Sequence, residues 1–282
     1  MDAATGYCRP RSIDQAIAFK ADAHGHAVFL AGGTDLMLRL PKPYPGLLID
    51  LGSADLADVT RAGNLLLVGA MVTAQRLVSD PLIREHAPLI RDAAIQLGSP
   101  QVRSRATIGG NVINASPAAD LTCALVALEA TAILRGPQGS RRVSVLDLAI
   151  GPGRTVCAAE ELLAGFELPI RSGRSCFWKL GLRAAQSIAV ASVAVNATIQ
   201  SDGRTDRVTI ACGSVAPHVV RAHTVEKCLA GAVPGLRSLE EAARLVLEDI
   251  APISDVRGSA AYRRAATVGI LRRALGEVLS CA

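Results

Sequence analysis

Two stretches pair adjacent glycines with small polar residues. One is Ala31-Gly32-Gly33-Thr34-Asp35, and the other is Arg105–Asp120, with Thr107-Ile108-Gly109-Gly110-Asn111 near its start. Glycine has no Cβ, so a ligand can lie directly on the backbone. Successive exposed N–H groups in such a turn form an anion-binding concavity. Each pair follows apolar residues and is trailed by Thr, Asn or Asp. Two such loops in one chain predict a phosphate-bearing cofactor held mostly by main chain. Neither is a G-x-G-x-x-G fingerprint, and no G-x-x-x-x-G-K-[ST] occurs. Gly151-Pro152-Gly153 imitates the start of the former, but its Pro lacks an N–H and no strand-to-helix context follows, so it is not read as a Rossmann loop.

Other chemistries find little support. His24, His26, His86, His218 and His223 lack metal-ligand spacing. The seven cysteines, at 8, 123, 157, 176, 212, 228 and 281, include no C-x-x-C pair and are odd in number. That argues against a disulfide framework, a zinc ribbon or an iron–sulfur cluster on this chain, and suits a reducing compartment. No Ser/His/Asp or paired-carboxylate arrangement stands out for acid–base work. With 282 residues, 50% hydrophobic and 20% charged, the chain reads as ordered, with ample material for a core. Aromatics at 3% disfavour a base-stacking surface. The net charge of +5 is dispersed, with no Lys/Arg run longer than two, which favours a solvated surface or protein partners over nucleic acid. Neither a signal pattern nor a membrane-length apolar run is present, so a cytoplasmic protein is expected.

The elements that must position these loops can be read in order. Ser12 and Gln15 form a capping-box pattern for a helix over about 12–23. Val28–Leu30 reads as a buried strand entering the first glycine pair, Asp35–Leu40 as a helical turn, and the proline-rich segment 41–46 as a loop. Leu47–Leu51 and Leu65–Ala70 are strands. Thr73 caps a helix to about Val78, and Asp80-Pro81 starts another. A turn at Leu97-Gly98-Ser99-Pro100 leads into the second glycine pair, and a helical run Leu121–Leu128 follows Asp120. Strands are expected at 130–134 and 142–145, and Glu167-Leu168-Pro169 ends the first region. After a linker at 171–173 the texture changes. Strands at 176–180, 188–200 and 207–213, the last two joined by the turn Ser201-Asp202-Gly203, precede helices at 222–229, 238–250 and 259–279. Ser238 with Glu241 reads as a second capping box, and Val268, Leu271, Leu275 and Val278 form one apolar stripe. The fold class is α+β, a mixed first region followed by strands and then helices.

Ala31–Asp35 together with Gln101-Val102-Arg103-Ser104-Arg105-Ala106-Thr107-Ile108-Gly109-Gly110-Asn111 resembles the paired flavin-binding motifs of one family, the FAD-binding medium subunits of molybdenum hydroxylases such as xanthine and carbon monoxide dehydrogenases. Trp178-Lys179 with Arg183, Gly213-Ser214-Val215-Ala216-Pro217 with Arg221, and Arg257–Arg264 resemble that family's C-terminal part. Gly151-Pro152-Gly153 and Glu161-Leu162-Leu163 resemble its xanthine dehydrogenase branch.

The resemblance implies a two-part FAD-binding domain of the PCMH type at 1–170 and a C-terminal flavoprotein domain at 175–282. It implies that Gly32–Asp35 wrap the FAD pyrophosphate, with Phe29, Leu30, Ala31 and Leu36 as walls. Thr34 would add a hydroxyl donor, and Asp35 would orient the loop or meet a ribose. Thr107, Gly109, Gly110 and Asn111 would form the opposite side of the cradle, with Ile113, Asn114, Leu97 and Gly98 close to the cofactor. Asp120 would accept from the cofactor or act simply as an N-cap. Leu162 and Leu163 would pack against the isoalloxazine. Lys179 would approach the flavin as a cation favouring its anionic reduced form, or be a surface lysine. Where relatives carry carboxylates after the arginine matching Arg183, this chain has Gln186 and Ser187. No catalytic acid or base and no metal site is implied here. Implied partners are a small subunit with two [2Fe–2S] clusters, a molybdopterin large subunit and NAD⁺ or another acceptor, and the substrate would be a purine or similar compound. Two other readings remain: a free-standing FAD-dependent oxidoreductase, and a non-catalytic nucleotide-binding assembly module.

Overall fold

The structure is a computed structural model and describes residues 6–279. Cys281 lies outside the described residues. The chain opens with a small parallel sheet of β1 (Gly6–Cys8), β2 (Ala27–Leu30) and β3 (Leu47–Asp50), in the order β1-β3-β2. Parallel strands require crossovers; the helix Ile13–Asp22, which buries Ala16 and Ile17, carries the chain from β1 to β2, past the place that β3 fills between them. Ser12 caps that helix by accepting from Gln15 N, but the Gln15 side chain takes the N–H of Arg11 rather than that of Ser12. The expected box is thus displaced by one residue.

The second sheet is antiparallel. It contains β4 (Val59–Ala62), β5 (Leu65–Gly69), β6 (Thr131–Gly136) and β7 (Gly139–Ser144). A small hairpin, β8 (Ala149–Gly151) and β9 (Arg154–Thr155), follows, and Gly151-Pro152-Gly153 is its turn. The chain then returns as β10 (Leu162–Pro169) to the middle of the sheet, in the order β4-β5-β10-β6-β7. This central strand is absent from the sequence-based reading. A register shift between Leu163 and Gly165 breaks its two-residue alternation, leaving Leu162 and Leu163 both buried. Between β5 and β6 the chain is helical, including Pro88–Ile95, Ile108–Ile113 and Asp120–Ala127.

The third sheet is β11 (Arg174–Gly181), β12 (Ala189–Ile199), β13 (Thr205–Gly213) and β14 (Val220–Arg221), antiparallel and in sequence order. The helices His223–Leu229, Leu236–Arg244 and Ala260–Leu279 follow it. The second of these starts at Gly235. Ser238 is its third residue and exchanges bonds with the Gly235 backbone, so the box expected at Ser238 and Glu241 does not form there. The helix gives way at Leu245–Glu248 to a tighter 3₁₀ turn. Leu271, Leu275 and Val278 of the last helix are buried, and Val268 packs against the same cluster. Among the described residues no helix is long and apolar enough to cross a membrane.

The two regions share a core. Phe177, Ala194, Ala211 and Val219 belong to the same buried cluster as Leu66, Ile90 and Phe166 of the first region. The helix Asp120–Ala127 lies between them, and all eight of its residues are buried. Cys123 Sγ donates to the Ala211 carbonyl at 3.4 Å, and the Thr209 hydroxyl donates to Ala127 O. Just beyond the helix, Glu129 accepts from Arg171, Arg207 and Arg221. A wholly apolar or buried helix marks an interior strut rather than a surface element.

Candidate cofactor site

A cleft of about 570 Å³ runs between the two glycine pairs and reaches the edge of the third sheet. The two pairs serve it differently. Residues 31–35 are a true loop at the end of β2. Gly33 has φ +72°, the left-handed region that glycine tolerates. A Cβ on Gly32 would lie 1.8 Å from the Arg105 carbonyl oxygen, so the loop can rest on the backbone of the second stretch only with glycine there. Among the described residues, no protein acceptor faces the N–H groups of Gly32, Gly33, Thr34 and Asp35. Such a row of unpaired donors on a concave surface attracts an anion. Asp35 points its carboxylate back to Arg39 at 2.7 Å, which lessens its repulsion of a phosphate.

The second pair is not a loop. Gly109 and Gly110 lie inside the helix Ile108–Ile113, with Thr107 as N-cap. Its first N–H groups already have acceptors: Ile108 N donates to Val72 O, Gly109 N to Ala70 O, Gly110 N to Thr107 Oγ1 and Asn111 N to Thr107 O. The expectation of an anion concavity at this pair is therefore corrected, because capping and pairing with the segment 70–72 occupy its donors. The glycines act sterically instead. A Cβ on Gly109 would lie 2.6 Å from the Ala70 Cβ, whereas one on Gly110 would meet only Thr107 Oγ1 at 3.0 Å and otherwise face the cleft. Asn111 contributes a buried Oδ1 with no protein donor.

Asp120 and Lys179 meet at the far end. Lys179 Nζ lies 2.5 Å from Asp120 Oδ2, both side chains are 7% exposed, and Nζ also donates to Gln96 O. Burial pushes the Asp120 carboxyl up to about 6, with the neighbouring ammonium working in the opposite direction. Ala119, not Asp120, is the N-cap of the following helix, and Lys179 is not on the surface. Nor does Lys179 offer the cleft an uncompensated cation, since Asp120 neutralises it. The other Asp120 oxygen, Oδ1, is buried without a donor. Two orphaned acceptors on residues lining one cleft call for N–H or O–H donors from a ligand or from water, because a buried unsatisfied oxygen costs about 1–3 kcal/mol.

The cleft brings together Phe29, Ala31, Thr34, Leu36, Leu97, Gly98, Ile113 and Asn114 of the candidate residues. Gly109, Leu162 and Leu163 instead line a smaller apolar pocket of about 90 Å³, which shares Phe29, Ala31, Gly110 and Ile113 with the cleft. Leu30 lines neither and supports the loop from below, its Cδ1 3.3 Å from where a Gly33 Cβ would be. Gln186 and Ser187 line the cleft beside Lys179. Their loop is held by Arg183, which donates to the Ala185 and Gln186 carbonyls, while Ser187 Oγ accepts from Leu182 N. Sequence reasoning missed Met71 and Cys157 of the small pocket and Arg39, Ile188 and Gly153 of the cleft. Only Gly153 carried a local signal, as part of a conspicuous turn.

Known proteins resemble this chain over nearly its whole length. Residues 3–171 match the family described as the FAD binding domain in molybdopterin dehydrogenase, and residues 177–278 match the CO dehydrogenase flavoprotein C-terminal domain. The chain is 33% identical to the glyceraldehyde dehydrogenase medium chain of Sulfolobus acidocaldarius, over 96% of this chain and 97% of that one. It is 28% identical to a putative xanthine dehydrogenase FAD-binding subunit of Escherichia coli, over 98% and 96%. It also superimposes on a chain of reconstituted CO dehydrogenase from Oligotropha carboxidovorans with a TM-score of 0.92, at 30% identity and covering 100% of both chains.

Proposed function

Because this chain belongs to the family of FAD-binding medium subunits of molybdenum hydroxylases, we propose that it is the flavin relay of a three-chain enzyme. In this reading a small subunit with two [2Fe–2S] clusters delivers electrons to the chain, and NAD⁺ or another acceptor removes them. Substrate would be hydroxylated on a molybdopterin large subunit and never enter this cleft. Residues 1–170 are taken as the FAD-binding domain and 175–282 as the C-terminal domain.

The observation that carries the reading is the pairing of a donor-rich loop with two donor-poor buried oxygens in one cleft. The free N–H groups of Gly32–Asp35 match a pyrophosphate, and Thr34 adds a hydroxyl. The orphaned Oδ1 atoms of Asp120 and Asn111 match donors on the sugar chain or ring of a dinucleotide. FAD bound here supplies the exchange between one-electron carriers and a two-electron acceptor. The protein's part is to hold and orient it. Gly110 leaves room beside the helix, Leu162 and Leu163 give an apolar wall, and Asp120 with Lys179 forms an electrically balanced end. Lys179 therefore acts on the cofactor as half of an ion pair, a weaker influence than that of a lone cation.

Two substrate classes have specific support. Gly151-Pro152-Gly153 and Glu161-Leu162-Leu163 favour a purine or similar heterocycle, while the higher identity to the glyceraldehyde dehydrogenase chain favours an aldehyde. Co-expression with the chains encoded beside it tests all of this. The expected product is a complex carrying FAD, iron–sulfur and molybdopterin, bleached by its substrate and by NADH where NAD⁺ is the acceptor. Purification of a colourless chain that refuses added FAD would overturn the reading. Turnover by the isolated flavoprotein would favour a free-standing oxidoreductase.

A further inference from the structure

Among the described residues lining the cleft and its side pocket, Phe29 is the one aromatic. It is half-buried at the point shared by both cavities. A cation lies over its ring: Lys20 Nζ is 5.5 Å from the ring centroid and donates to Ala27 O. Lys20 occupies the last turn of the helix Ile13–Asp22, where the helix end favours positive charge. Among the described residues no carboxylate is within ion-pairing distance of it. Glu160 and Cys157 are the titratable groups that face it, and burial lowers its pKa against their influence. The ammonium thus has one carbonyl and one aromatic face as its partners, an attraction that strengthens as water is excluded.

We propose that Lys20 is a positioning residue for the cofactor: held by Ala27 O and one face of Phe29, it fixes the Phe29 ring so that a planar ring of FAD stacks on the face that Lys20 leaves open. The inference rests on the FAD reading above. A ring already immobilised on one face loses little freedom when a ligand covers the other, so its stacking contact converts more fully into affinity. Lys20 touches no cofactor atom in this arrangement. Its whole effect passes through Phe29.

The test is a double-mutant cycle on the full chain, stripped of flavin and titrated with FAD. Lys20→Met keeps the aliphatic stem and removes the charge. It is expected to weaken FAD binding about fivefold and to change the near-ultraviolet dichroism of the bound flavin, whereas Lys20→Arg restores both. In a Phe29→Leu background, Lys20→Met is expected to have no further effect. If Lys20→Met fails to fold, Lys20→Gln keeps a donor for Ala27 O and repeats the cycle. An equal loss in both backgrounds overturns the proposal, because Lys20 would then act on the phosphates through space. Unchanged affinity in Lys20→Met overturns it too, and leaves the FAD cleft standing if Gly110→Val loses the cofactor in parallel. Failure of the unaltered chain to bind FAD would instead remove the reading on which the proposal rests.

Discussion

Gly109 and Gly110 are adjacent in one helix, yet the structure predicts opposite responses to enlargement. A Cβ at 109 falls 2.6 Å from the Ala70 Cβ and 2.7 Å from the Ala70 carbonyl oxygen. Ala70 is 5% exposed, and its carbonyl is the acceptor for Gly109 N, so neither side has room to withdraw. Overpacking of this kind costs about 1–3 kcal/mol. At about 2–4 °C per kcal/mol for a chain near this size, Gly109→Ala should lower the melting temperature of the flavin-free protein by roughly 2–12 °C. A Cβ at 110 meets only Thr107 Oγ1, at 3.0 Å. There the helix gains up to about 1 kcal/mol from replacing glycine, offset in part by that contact. Gly110→Ala should therefore melt within about 4 °C of the unaltered chain. Gly110→Val places a branched group in the cleft itself and should cut FAD affinity at least about tenfold, or about 1.4 kcal/mol. Calorimetry on the stripped chain and flavin absorbance after reconstitution read the two effects separately. Gly110→Val that keeps stoichiometric FAD, or Gly109→Ala that melts unchanged, would refute the division of labour between the glycines.

Two further outcomes follow from the buried pair. Lys179→Met strands the Asp120 carboxylate and should destabilise the flavin-free chain by about 3–5 kcal/mol, while the double variant Lys179→Met/Asp120→Asn recovers much of that loss in a denaturant titration. The Asp120 carboxyl has a folded pKa of about 6 against an ordinary 3.8. The folded chain then holds more protons than the unfolded one between those values, so this group's contribution to stability falls as pH rises from about 4 to about 6 and stays low above, by about 3 kcal/mol in all. A pH series of unfolding midpoints that Asp120→Asn does not flatten over that interval would contradict the assignment.

The parts of this fold that were legible in sequence are those with a local cause. Thr73 caps a helix in the structure, and Asp80 does so with Pro81 behind it, because a cap acts within three residues; Ser99, read only as part of a turn, caps the short helix Pro100–Arg103. β10 was illegible because its bulge at Leu163/Gly165 cancels the alternation that marks a strand. Gly109-Gly110 read as a loop because helix propensity penalises paired glycine, whereas close approach to Ala70 demands it. The Lys179–Asp120 contact joins residues 59 apart and has no local signature at all. The resemblance brought both residues to notice, but not that they neutralise each other.

The helix Asp120–Ala127 has a consequence for how such chains can be recombined. The linker near 171–173 looks like a natural crossover point, with a family match ending on one side and another beginning on the other. Yet the helix belongs in sequence to the first half while Ala211, Thr209, Lys179 and Arg207 of the second half grip it or its flanks along its length. A hybrid spliced at the linker would inherit a strut cut for a different socket. A hybrid of this chain with a homologous half is therefore expected to keep its stability only when residues 120–129 travel with the C-terminal half, because the buried seam rather than the linker sets which residues must match.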